Sequence, residues 1–268
     1  MLIPIRDENP TSRTAWVTLA IIALNVIAFL LWEPTFKDEQ VQQTFFFCHA
    51  EIPWETTHQT TLGQGSADAR RAIEHDLGLS PGQAARFQAG YRAECDGKSW
   101  WQSIFVAMFL HGGWLHIGGN MLYLWIFGNN VEDKIGRIKF LLFYFISGIA
   151  AAALQTATSP DSVVPSLGAS GAIAGVLGAY IVMFPRRRVL SIVPIFFFFS
   201  LIALPAIVVL GFWFVLQFFS GATTVAQHVT GGVAYFAHIG GFVTGVVAAL
   251  LFFPKEWSRF GGPRELPA

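Results

Sequence analysis

Residues 168–188 read GASGAIAGVLGAYIVMFPRRR in one-letter code. A serine opens an apolar run, Gly171–Phe184, which carries no charge before Arg186, Arg187 and Arg188 close it. Gly171 and Gly175 stand four apart, with Gly178 beyond them, a pattern of small residues that lets helix backbones approach closely in lipid. Basic residues at one end of an apolar run mark the cytoplasmic end of a membrane span. The stretch therefore sets the class of the whole chain: an all-α membrane protein.

The rest of the sequence agrees. Of 268 residues, 53% are hydrophobic and 13% charged, half of the ~25% charge that a soluble domain carries. The formal net charge is zero, so the chain has no basic excess for a nucleic-acid partner. A spanning helix needs about 20 mostly apolar residues, and six candidates appear. They are Trp16–Trp32, Trp114–Phe127, Phe140–Gln155, Gly171–Phe184, a helix within Leu190–Phe219, and Gly232–Phe253. The fifth run is long and is broken by Pro194 and Pro205. It predicts a short irregular approach followed by the helix proper, with two half-helices as the alternative. The first run has no small-residue cleavage site behind it and reads as an anchor rather than a signal peptide.

Basic residues orient the six-helix bundle. Arg6, Arg13, Lys134, Arg137, Lys139, Arg186–Arg188, Lys255, Arg259 and Arg264 fall on one side, whereas Ser159–Pro165 and Gly221–Thr230 contain no Lys or Arg. Both termini are then cytoplasmic: a tail over 1–14, a transmembrane domain over 15–254 and a second tail over 255–268. A compact core of this kind suits a bacterial plasma membrane. The long first loop, 33–102, is extracytoplasmic and holds ten of the seventeen acidic residues. Ser66 is placed to cap a short helix ending near Gly78, and Ser80 with Pro81 to open another. Cys48 and Cys95 both lie in this loop, facing an oxidising compartment, and are either a disulfide or two unpaired thiols. An interfacial or partner-binding role suits the loop, which shows no chemistry of its own.

Polar side chains inside membrane spans are rare and mark functional sites. Here they fall on three spans. The second opens with His111, followed by His116 and Asn120, which are four apart and so share a helix face. The fourth opens with Ser170, and the sixth carries His238. His116 lies sixteen residues before Glu132, Ser170 sixteen before Arg186, and His238 seventeen before Lys255. At ~1.5 Å per residue all three stand about 24 Å above the cytoplasmic boundary. Ala237, Gly241 and Gly245 on the sixth span complement the glycines of the fourth, as a Ser170–His238 hydrogen bond requires. A histidine suits the task of taking the proton that makes a serine nucleophilic. The Ser170 backbone N–H, Asn120 and His116 could donate to the oxyanion that forms. No Asp or Glu lies at this depth, so the site reads as a dyad. His111 reads as a structural residue bonded to loop backbone. With no carboxylate or thiolate beside His111 and His116, and no HExxH, neither a metal nor a cofactor is expected.

These motifs together resemble the rhomboid family. Gly168-Ala169-Ser170-Gly171 matches its GxSG nucleophile motif, Ala237-His238 with Gly240 and Gly241 its last-helix signature, and His111, His116 and Asn120 its second-span pattern. Glu132 matches an acidic residue at the end of that span. A lone GxSG recurs widely, whereas three motifs in order on three spans are specific, and the likeness covers roughly residues 100 to 254. It implies a rhomboid-like bundle and an intramembrane serine endopeptidase, with Ser170 as nucleophile, His238 as base, and His116 and Asn120 in the oxyanion hole. Its substrates would be transmembrane proteins cut near the outer face, within the lipid bilayer. The fifth span is the family's usual lateral gate. A catalytically silent relative that binds membrane clients is the alternative, although such relatives typically lose the serine or the histidine. Some relatives stack a tyrosine, four residues after the serine, on the histidine. Ala174 stands there, so the orientation of His238 falls to Tyr235 or another ring. The insertion between Gln59 and about Lys98 lies outside the family pattern.

Overall fold

The computed structural model describes residues 3–65, 67–195, 198–226 and 233–252. Three long helices form its centre: α9 (Arg137–Thr158), α10 (Ser170–Met183) and α12 (Tyr235–Phe252). Their packing follows from missing side chains. A Cβ at Gly241 would run into the carbonyl oxygen of Gly171, one at Gly245 into that of Gly175, and one at Gly178 into that of Phe242. Backbone thus lies on backbone along the whole α10–α12 contact, as small residues permit where no hydrophobic effect drives helices together. Gly241→Ala is expected to destabilise the bundle by about 1–3 kcal/mol through overpacking. Thermal unfolding in detergent checks it, and an unchanged midpoint would show that the close approach is dispensable.

Around this centre stand α1 (Trp16–Ile27, continued by a π-helical turn, Ala28–Trp32), α7 (Trp114–Tyr123) and α11 (Ala206–Ala226). By length and composition α9, residues 206–223 of α11, and α12 can each cross a membrane, and Trp16–Trp32 and α10 are shorter apolar helices. Large apolar side chains face outward on them, among them Leu31, Leu142, Phe219 and Leu251. Such a surface belongs in lipid rather than water. This is a membrane protein. Helical structure continues past the Phe127 at which the second candidate span was expected to end, because α7 passes through a π-turn (Leu124–Gly128) into α8 (Asn129–Ile135). Glu132 on α8 accepts hydrogen bonds from Val17 N, Thr18 N and Thr18 Oγ1 at 3.0, 2.7 and 2.8 Å. A carboxylate thereby satisfies the orphan donors at the start of α1.

The approach to the fifth helix differs from the irregular segment expected. Strands β2 (Arg188–Ile195) and β3 (Phe198–Pro205) pair antiparallel, and β1 (Ile3–Asp7) adds to β2 in the order β1-β2-β3. Asp7, at the end of β1, ties the sheet to the bundle by accepting from Asn130 Nδ2 at 2.7 Å and Tyr180 OH at 2.8 Å. The fold is therefore helical with one small sheet. Pro194 lies within a strand rather than breaking a helix, and Pro205 ends the sheet where α11 begins.

At the other end of the bundle sits an inserted domain of α2 (Glu39–His49), α3 (Pro53–His58), α4 (Ala67–Leu77) and α5 (Pro81–Glu94), followed by the short α6 (Trp100–Ala107) ahead of α7. The two helices expected there are present. α4 ends before Gly78, whose φ of +62° suits glycine, and Ser80 with Gln83 forms a capping box ahead of Pro81. Ser66, the cap expected for α4, lies outside the described residues, as do Gly232, Phe253 and the tail over 255–268. Cys48 and Cys95 are joined as a disulfide. Ile52, Trp54, Leu62, Ile73 and Ala84 make a separate core, completed by Val163 from the loop before α10. Inside it Lys98 Nζ pairs with Glu55 Oε2 at 2.8 Å, both side chains buried. Burial pulls the Lys98 ammonium below its ordinary range, and the Glu55 carboxylate acts against that pull.

The domain is bonded to the loop that leads into α10. Ser166 N donates to Glu51 O at 2.7 Å, Trp54 N to Ser162 O at 2.9 Å, and Val163 N to Asp76 Oδ2 at 2.9 Å. Thr156 on α9 donates to Glu51 Oε1 at 3.0 Å. Burial pushes the Glu51 carboxyl up to about 7, against hydrogen bonds from Thr56 and Thr156 that lower it.

Candidate active site

Ser170 is the first residue of α10, and His238 lies in the first turn of α12. The glycine-lined contact between the two helices brings His238 Nε2 within 2.8 Å of Ser170 Oγ. His238 Nδ1 lies 2.7 Å from Gln217 Oε1, an amide oxygen on α11. A carbonyl oxygen can only accept, so this bond assigns the imidazole proton to Nδ1 and leaves Nε2 as the acceptor for the serine hydroxyl. That is the tautomer a general base needs. Trp213, one turn earlier on α11, stands against the same imidazole with ring centroids 5.8 Å apart. Of the choices left by the sequence, Tyr235 or another ring, the ring that stands beside His238 is Trp213.

Gln217 and Trp213 are the two neighbours that the sequence reading missed. The signal for Gln217 was present: an amide side chain inside an apolar span is as unusual as the serine and histidine beside it.

His116 and Asn120 occupy successive turns of α7. Gly112 N donates to His116 Nδ1 at 3.2 Å, which leaves the neutral ring's proton on Nε2. That nitrogen points to Gly168: a Cβ placed there would lie 2.8 Å from His116 Nε2 and 3.5 Å from Ser170 Oγ. Gly168 also has φ +124°, a conformation that favours glycine. The first glycine of the GxSG motif thus meets a backbone requirement and leaves room between the imidazole and the serine. Asn120 is 8% exposed, and its Nδ2 has no hydrogen-bond partner among the described residues. A buried donor without a partner costs about 1–3 kcal/mol, a cost more readily tolerated where a ligand supplies the acceptor.

All four residues border one cavity of about 1310 Å³. His111 stands apart from that cavity's lining: its backbone N–H donates to Glu33 Oε1 at 3.1 Å, and its ring packs edge-on against His116 at 5.1 Å. Among the described residues no group of three or more His, Cys, Asp or Glu side chains is arranged to hold a metal ion.

The family model for the rhomboid domain matches residues 97–255. The chain is 27% identical to "RHOMBOID-like protein 6, mitochondrial" of Arabidopsis thaliana, across 95% of this chain and 75% of that protein. It is 40% identical to "Rhomboid protein 1, mitochondrial" of Saccharomyces cerevisiae, across 34% of this chain and 28% of the relative. It is 33% identical to "Rhomboid protease GluP" of Bacillus subtilis, across 60% of this chain and again 28% of the relative. The matches to the yeast and Bacillus proteins thus span little more than a quarter of each relative's length.

Proposed function

This chain belongs to the rhomboid family, and from that membership we propose that it is an intramembrane serine endopeptidase that hydrolyses peptide bonds in or near the transmembrane segments of other membrane proteins. The observation that carries the reading is the 2.8 Å contact between His238 Nε2 and Ser170 Oγ, made between two apolar helices. Ser170 Oγ attacks the scissile carbonyl carbon as His238 takes its proton. The negative charge that develops on the carbonyl oxygen is met by the Ser170 N–H, His116 Nε2–H and Asn120 Nδ2. His238 then passes its proton to the departing amine, leaving an ester on Ser170. Water, deprotonated by the same imidazole, cleaves the ester and restores the serine. Gln217 holds the ring without adding charge, so the imidazolium formed in each half-reaction has no carboxylate partner.

On this reading the six spans are α1, α7 with α8, α9, α10, α11 and α12. The basic residues favour a cytoplasmic position for both termini and an outer position for the inserted domain. The client-binding alternative has less support, since both dyad residues are present at hydrogen-bonding distance. A fluorophosphonate, which reacts with base-activated serines, tests the reading. Mass spectrometry of the labelled protein should find the adduct on Ser170, strongly slowed in His238→Ala. An adduct on a different serine, or a rate indifferent to His238, would sink it.

A further inference from the structure

The cavity that holds the dyad continues beyond the bundle. Its far wall is the inserted domain, where Asp68, Arg71, Ala72 and His75 of α4 border the same space as Ser170 and His238. Those positions are i, i+3, i+4 and i+7, one face of a helix. Ala69 and Ile73, on another face of α4, are buried in the domain's own core. The volume of about 1310 Å³ exceeds the ~300–1000 Å³ typical of small-molecule pockets, and suits a stretch of polypeptide. A chain whose carbonyl sits at Ser170 must leave the site along both of its directions. One of these runs through the space under α4, past Asp68, Arg71 and His75.

The charge of this wall is uneven. Asp68, Asp76 and Asp161 border it against the single guanidinium of Arg71, which itself donates to Asp68. Asp76 is committed to Val163 N and His75 Nδ1, whereas Asp161 is exposed. We propose that the inserted domain is a substrate-binding subsite, in which α4 and the loop before α10 select a cationic, extramembranous flank of the polypeptide beside the scissile bond. The proposal rests on the protease reading above and extends it from the bond that is cut to the residues that present it. Complementary charge of this kind contributes to specificity more than to raw affinity.

The test uses the full-length enzyme in liposomes at low ionic strength, where exposed charges are least screened. It compares two single-span substrates that differ only in an outer flank rich in Lys or in Glu. The wild type should cut the Lys form about fivefold faster, the scale of an exposed ion pair at its upper range. The double variant D68K/D161K should bring the ratio to one or below. The ratio cancels any loss of folded enzyme. Equal rates in the wild type, or a preference that the double variant leaves unchanged, would overturn the subsite while the protease reading stands. Cutting of neither form by the wild type would overturn both.

Discussion

Ser170→Ala and His238→Ala are each expected to lower turnover of a single-span substrate by about 10⁴-fold or more, with the double variant scarcely worse than either alone. The reason lies in their shared bond. A serine hydroxyl without a base is a weak nucleophile, and an imidazole without the hydroxyl has no proton to take. At 2.8 Å the two act as one unit, so removing either removes the whole effect and losses do not add. Product formation under single-turnover conditions in proteoliposomes measures this directly. Activity within tenfold of wild type in either variant would exclude the dyad, as would two losses that multiply in the double variant.

Asn120→Ala is expected to cost about 10²–10³ in kcat with little change in KM, the usual cost of one oxyanion donor. Asn120 Nδ2 is buried and without a partner among the described residues, so the chain carries a desolvated donor before any substrate arrives. An acceptor whose charge grows during the reaction gains from that donor chiefly in the transition state, and such gains raise kcat rather than affinity. Asn120→Asp keeps the shape but places an acceptor and a negative charge beside the oxyanion, and should be worse than Asn120→Ala. If Asn120→Ala raised KM and left kcat unchanged, the amide would instead be binding substrate in its ground state.

Much of this site was legible because membrane spans make polar residues conspicuous. Ser170, His238, His116 and Asn120 stood out against apolar neighbours, and counting to the next charged residue placed three helices at one depth. The small residues of α10 and α12 foretold their contact. The fifth candidate span escaped the same treatment because residues 189–205 are apolar but for Ser191 and Ser200, and such a run does not separate strand from helix by periodicity. Without the start of α11 fixed at Ala206, Gln217 had no depth to compare with that of His238. The inserted domain was hidden for another reason. Its core needs Val163 and its anchors need Thr156 and Ser166, all distant in sequence, and local signals such as Ser80-Pro81 report only the helices themselves. Cys48 and Cys95 marked two ends of the domain without deciding between a bond and two thiols.

The small sheet has a mechanical consequence. α11 follows β3 without a linker, and Ala206 N still donates to Arg187 O at 2.8 Å, so this helix is pinned at its foot. A rod held at one end moves as a lever, with its displacement growing along its length. Gln217 lies eleven residues from the pivot, about 16 Å along the axis, so a tilt of about 10° carries it roughly 3 Å. That travel is enough to separate Gln217 from His238, now 2.7 Å apart. Any sideways swing that opened the bundle at α11 would therefore also release the imidazole, and its return would set the ring again.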